Sequence, residues 1–254
     1  MEYAFVSVAA AAVRPRSRHQ GEMTNQFLFG EPVKILKHKK KNWVKVRSLH
    51  DKHEGWMTTN LLQEADEYKV SAVHPFRCTA LFTKITLDNE SMLIPFGSTL
   101  PGYENGQGIL GELKYTVDDQ NVISQGNDYL ASMDELGKTW LNVPYLWGGK
   151  TAMGVDCSGL VQLVFKMNGV LLPRDAWQQA QQGAIVDRYR DSQPGDLAFF
   201  DDKDEIVHVG ILLGNDRIIH AAGTVHIDHM DKKGIISALT GKRTHSLRVI
   251  KRHG

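Results

Sequence analysis

The stretch Val143-Pro-Tyr-Leu-Trp-Gly-Gly-Lys150, followed directly by Thr151-Ala-Met-Gly-Val-Asp-Cys157-Ser-Gly-Leu-Val161, holds the second of the chain's two cysteines. Upstream of Cys157 lies a glycine-bearing, aromatic-rich loop. Downstream, apolar residues recur at 160, 163, 164 and 167, the spacing of a helix face. A thiol in the first turn of a helix meets the positive end of the helix dipole and unpaired backbone N–H groups, which favour thiolate. Cys157 therefore reads as a nucleophile.

Such a nucleophile needs a base, and the base needs an orienting partner. Of 11 histidines, two are placed for this: His208 in Ile-Val-His-Val-Gly-Ile and His220 in Ile-Ile-His-Ala-Ala, on strands flanking Gly214-Asn-Asp. A hairpin centred near Asn215 pairs residues whose numbers sum to 430. His220 then lies diagonally beside His208 on one sheet face. His208 would act as base and His220 would hold its tautomer. The plain alternative is two satisfied histidines in a half-buried sheet. No metal is expected, because Cys157, His208 and His220 lack short paired ligand spacing. His226 and His229 could extend a metal site, but Val-His-Ile-Asp-His reads more simply as polar strand-end positions.

Outward from this centre, residues 126–254 read as an α+β domain. A helix is expected over 127–141, the Cys157 helix ends at Asn168-Gly169, and a second helix runs from Asp175 to Gly183. Strands follow at 196–200, 206–213, 217–222 and 246–250. Residues 1–66 read as a small β domain with strands at 3–13, 31–37, 42–47 and 55–62, and Lys37-His-Lys-Lys-Lys as a solvated hairpin tip. Residues 67–125 read as a second β-rich domain, with strands at 68–73, 78–82, 91–96 and 114–117 and glycine-rich turns over 102–111.

A net charge of +1 provides no global field to recruit nucleic acid or an anionic membrane. Two cysteines 79 residues apart make no disulfide framework, and Cys78 reads as an apolar filler. The opening Met1 to Val13 lacks a basic n-region, and no stretch approaches the ~20 apolar residues of a membrane helix. A cytoplasmic protein without a cofactor is expected.

Pro144-Tyr-Leu-Trp-Gly-Gly, Asp156-Cys-Ser-Gly-Leu-Val, Leu172-Pro-Arg-Asp, Pro194-Gly-Asp-Leu-Ala-Phe-Phe, His208-Val-Gly-Ile and Ile219-His-Ala occur in the order of the NlpC/P60 cysteine peptidases, which the chain resembles over 126–250. Residues 1–66 resemble bacterial SH3 (SH3b) domains, and 67–125 a divergent second one. The resemblance implies a papain-like domain in which Cys157, His208 and His220 are catalytic. It also implies cleavage of peptidoglycan stem peptides, and together with the front domain the chain is similar to γ-D-glutamyl-L-diamino acid peptidases, which release L-Ala-γ-D-Glu from free muropeptides. In those enzymes acidic groups hold the free L-alanine amine, and Glu22, Asp156 and Asp175 match them. The helix-start N–H groups would meet the oxyanion, Tyr145 and Trp147 would wall the cleft, and Ser158 would bind substrate backbone. Ala176 replaces the serine common after Arg-Asp, and Gly55-Trp-Met lacks the expected tyrosine, which leaves the amine end open. A monomer is expected. The rival readings are an endopeptidase on intact wall, a non-catalytic wall-binding module, and an acyltransferase or amidase on the same scaffold.

Overall fold

The computed structural model describes residues 1–124 and 139–253; most of the helix expected over 127–141 lies outside them. In the first barrel, alternating apolar residues turn Val33, Ile35, Val44, Val46 and Met57 inward against Phe27. Its antiparallel sheet runs in the order Glu54–Thr58, Trp43–Ser48, Pro32–Lys39, Tyr3–Val6, Leu62–Glu64. The strand expected over 3–13 is two strands. The chain bends at Val8 and Ala9, so that Ala10–Val13 pairs with Asn25–Leu28, a strand the sequence reading missed. A 3-10 turn, Thr59–Leu61, precedes the last strand.

The second β-rich segment repeats that ending. Four antiparallel strands lie in the order Glu90–Pro95, Phe82–Leu87, Leu113–Val117, Gln107–Leu110, and a 3-10 turn, Asp119–Asn121, leads to Val122–Ser124, which pairs with Phe76–Cys78. Three expectations fail here. The strand expected over 78–82 falls on the bend between Phe76–Cys78 and Phe82–Leu87, with residues 79–81 outside either strand. Residues 68–73 are not a strand: Asp66 N-caps the helix Glu67–Ser71, in which only Val70 is buried. The glycine-rich segment 102–111 contains the strand Gln107–Leu110. Cys78 is fully buried, and burial pushes its thiol up to about 12. Tyr3, Phe5 and Phe29 of the first barrel share a core with Ile85, Ile94 and Tyr115 of the second segment. Each such fully buried large side chain contributes about 1.5–3 kcal/mol.

In the remainder, the helix Cys157–Met167 packs on an antiparallel sheet ordered Ala184–Ile185, Arg243–Arg252, Leu197–Asp202, Glu205–Gly214, Arg217–Ala222, Thr224–Asp231, Gly234–Ile236. Gly234–Ile236 also pairs with Arg243–Arg252, so six of the strands close on themselves. Thr224–Asp231 and Gly234–Ile236 were not foreseen. The expected helix over 175–183 is only Ala176–Gln179. The hairpin register agrees with the expected sum of 430, in the pairs Ile211 with Ile219 and Leu212 with Ile218.

Candidate active site

Cys157 opens its helix directly after the N-cap Asp156, whose Oδ1 accepts from the Gly159 N–H at 2.7 Å while Oδ2 accepts from the Gly148 N–H at 2.8 Å. Gly148 can be nothing else: its φ is +77°, and a Cβ there would stand 2.5 Å from the Met23 carbonyl oxygen of the first barrel. The aromatic loop is thereby clamped between the barrel and the helix start. The N–H groups of Val209 and Ser158 reach the thiol, but burial, then the Asp156 charge, outweigh them and push Cys157 up to about 11. Burial thus works against the thiolate that the helix start favours.

Val209 follows His208, and His208 leads into a chain of hydrogen bonds. His208 Nε2 and His220 Nδ1 are 2.9 Å apart, His220 Nε2 lies 3.2 Å from Asp228 Oδ2, and Asp228 Oδ1 accepts from the Ala238 N–H at 2.8 Å. A carboxylate only accepts, so the direction is set from its end. His220 Nε2–H donates to Asp228, His220 Nδ1 must then accept, and His208 Nε2–H donates to it. This leaves the Nδ1 lone pair of His208 free as a base. Gly210 makes the packing possible, since a Cβ there would come within 2.7 Å of Ile218 and 3.0 Å of His220. Burial, then His220, holds His208 well below the usual histidine range, and burial also lowers His220. Burial opposes charge on Asp228, but the His220 and Ala238 hydrogen bonds win and hold it down at about 2. His245 stacks on His208, with centroids 4.3 Å apart.

The thiol lies in a cleft of about 550 Å³ walled on one side by Pro15, Thr24 and His53 of the first barrel. Tyr145, Trp147, Asp156, Ser158 and Asp175 all line it, and Glu22 does not. Glu22 is exposed, accepts from Trp147 Nε1 at 2.9 Å, and borders a separate concavity with Arg14, Arg16 and Arg18. Asp156 is already committed. Arg174 grips both its oxygens, at 3.0 and 2.5 Å, while donating to Ser158 Oγ at 2.8 Å and to Asn25 Oδ1 of the barrel at 2.8 Å. Asp175 N-caps Ala176–Gln179 and is half-buried; no ion pair holds it among the described residues. Burial, then Cys157 and Asp156, push Tyr145 up to about 12, so its hydroxyl is a donor.

The sequence reading missed Arg174, His53, His245 and Asp228. Arg174 stood in Pro-Arg-Asp beside the aspartate that drew attention. Asp228 stood inside Val-His-Ile-Asp-His, where a single buried acid among polar neighbours was the available signal.

A thiol at a helix start, an imidazole chain ending on a buried carboxylate, and a closed antiparallel sheet behind them define a cysteine peptidase of the papain-like kind. Residues 142–244 match the NlpC/P60 family and residues 13–62 match the bacterial dipeptidyl-peptidase Sh3 domain. The chain is 30% identical over 215 residues to the γ-D-glutamyl-L-lysine dipeptidyl-peptidase of Bacillus subtilis, covering 78% of this chain and 72% of that one. It is 24% identical to dipeptidyl-peptidase 6 of Lysinibacillus sphaericus, covering 84% and 86%. An NlpC/P60 family protein from Bacillus cereus has the same fold, with a TM-score of 0.80 at 20% identity over 98% of this chain and 99% of that one. The chain belongs to the NlpC/P60 family of cysteine peptidases.

Proposed function

We propose that this chain hydrolyses the bond between γ-D-glutamate and the diamino acid in peptidoglycan stem peptides bearing a free N-terminal L-alanine, releasing L-Ala-γ-D-Glu during recycling of wall peptides in the cytoplasm. The observation that carries the reading is the hydrogen-bond chain from Asp228 through His220 to His208, whose neighbour Val209 meets the Cys157 thiol through its N–H, in a cleft bounded by the first barrel. His208 Nδ1 takes the thiol proton as Sγ attacks the γ-glutamyl carbonyl. The N–H groups at the helix start and the Tyr145 hydroxyl donate to the oxyanion. His208 Nδ1–H then protonates the leaving amine, and water attacks the thioester.

The names of the Bacillus and Lysinibacillus relatives support the dipeptidyl specificity, and so does the barrel wall, which bounds one end of the cleft. At that end Asp175 is the carboxylate open to a substrate ammonium, with Thr24 and His53 facing it, because Arg174 neutralises Asp156. The test compares L-Ala-γ-D-Glu-L-Lys with its N-acetyl form, products being read by mass spectrometry. The free peptide should turn over at least about 100-fold faster, the worth of a lost charged contact of roughly 3 kcal/mol. Equal rates would instead describe an endopeptidase of intact wall, and turnover surviving Cys157→Ala would overturn the mechanism.

A further inference from the structure

Behind the relay, on the side away from the thiol, His220 Nε2, His226 Nε2 and Asp228 Oδ2 lie within 4.8 Å of one another. His220 Nε2 is 3.2 Å and His226 Nε2 3.3 Å from that oxygen. Ligand atoms about 2.0–2.1 Å from a tetrahedral ion stand roughly 3.3 Å apart, so two of the three edges already have the required length. His226 is also oriented as a ligand. Its Nδ1 lies 2.8 Å from the Thr224 carbonyl, to which only an N–H can be presented, so Nε2 is the nitrogen that faces Asp228. His226 is 34% exposed, which opens the position to solvent.

We propose that His220, His226 and Asp228 form an inhibitory site for a divalent transition metal of the Zn²⁺ class. The donor set of two imidazoles and one carboxylate suits that ion. Its effect on catalysis follows from proton bookkeeping and rests on the relay described above. When the metal takes the His220 Nε2 lone pair, the proton of that ring moves to Nδ1 and donates to His208 Nε2. The His208 proton then resides on Nδ1. No proton is gained or lost by the two rings, but His208 now turns an N–H, not a lone pair, toward Cys157 and cannot accept the thiol proton.

The site and its effect are separable by experiment. With the thiol removed by Cys157→Ala, calorimetric titration with ZnCl₂ should show one ion per chain, and adding His226→Gln should weaken binding at least about 100-fold. Co²⁺ in place of Zn²⁺ should give the visible absorption of a tetrahedral centre, lost in the same variant. With Cys157 intact, Zn²⁺ should inhibit turnover reversibly to chelator, and the half-inhibiting concentration should rise in His226→Gln by the factor seen in binding. No binding to Cys157→Ala, or binding indifferent to His226→Gln, overturns the site. Binding that disappears with His226→Gln while saturating Zn²⁺ leaves wild-type turnover unchanged overturns the relay reversal and leaves the peptidase reading intact.

Discussion

The helix Cys157–Met167 joins two buried polar networks of opposite design. At its C-terminal end, Lys166 Nζ sits 2.6 Å from Glu31 Oε1 of the first barrel, with Lys150 Nζ at 3.6 Å and the Leu28 N–H at 3.0 Å from Oε2. Burial alone would raise Glu31, but Lys150 and then Lys166 hold it well below the carboxylate range. At the N-terminal end, the relay holds two neutral rings and one charge, and it leaves a single ring nitrogen uncommitted. The junction is a knot of buried charges in which both Glu31 oxygens are used. The relay is a directed wire whose function depends on the acceptor it does not satisfy. One network fixes where the barrel wall stands, and the other fixes where a proton goes.

The comparison breaks most visibly at Asp228. In Asp228→Asn the side-chain oxygen is pinned by the Ala238 N–H, so the amide NH₂ replaces Oδ2 and must donate to His220 Nε2. Every tautomer in the relay then reverses, and His208 offers the thiol an N–H. A reversed imidazole in a catalytic triad costs on the order of 10⁴-fold. With one further ring in between, kcat should fall about 10³–10⁴-fold with KM little changed, because the cleft itself is untouched. Steady-state kinetics check this, and a loss below tenfold would mean that His220 holds His208 without help from Asp228.

At the other end, Glu31→Gln removes the carboxylate and strands Lys166, which is 5% exposed, without its counter-ion. Leaving one partner of a buried pair uncompensated costs about 3–5 kcal/mol. The urea midpoint should drop accordingly. Because the barrel forms one wall of the cleft, KM should rise more than kcat falls, the reverse of the Asp228→Asn signature.

How far these two networks could be read in the sequence differs for a physical reason. Cys157, His208 and His220 announce themselves through local periodicity: a helix-spaced apolar run, and two strands about a Gly-Asn-Asp turn whose register follows from counting. The same counting found the strand Arg217–Ala222 to the residue. It missed Thr224–Asp231, whose buried positions Val225, Asp228 and Met230 do not alternate cleanly and include a charge. It also misread residues 68–73, where the Lys69 and Val70 N–H groups bond back to the Asp66 carbonyl and the chain starts a helix. The junction was illegible, since Glu31 and Lys166 are 135 residues apart and each alone is an ordinary surface residue type. Arg174 likewise meets Asn25 across 149 residues. Networks within a hairpin leave a pattern in the sequence, and networks between domains leave almost none.

Acid sharpens the contrast with a smaller effect. His50 borders the junction with its Nδ1 3.8 Å from Glu31 Oε1, and burial, despite that nearby carboxylate, lowers it from 6.5 to about 4. Between those values the unfolded chain binds a proton that the folded chain refuses, so stability must rise with pH across the window. The contribution is whole above pH 6.5 and is lost progressively as the pH falls toward 4. By pH 5 the loss from His50 alone is about 2 kcal/mol. His208 and His220 are lowered as well, so relay and junction weaken in the same direction. His50→Gln separates them. Urea unfolding at pH 7 and pH 5 should show the pH-dependent loss of stability shrinking by about 2 kcal/mol in the variant, while the acid limb of kcat stays where the relay sets it. If both move together, the junction and the relay titrate as one unit through the helix they share.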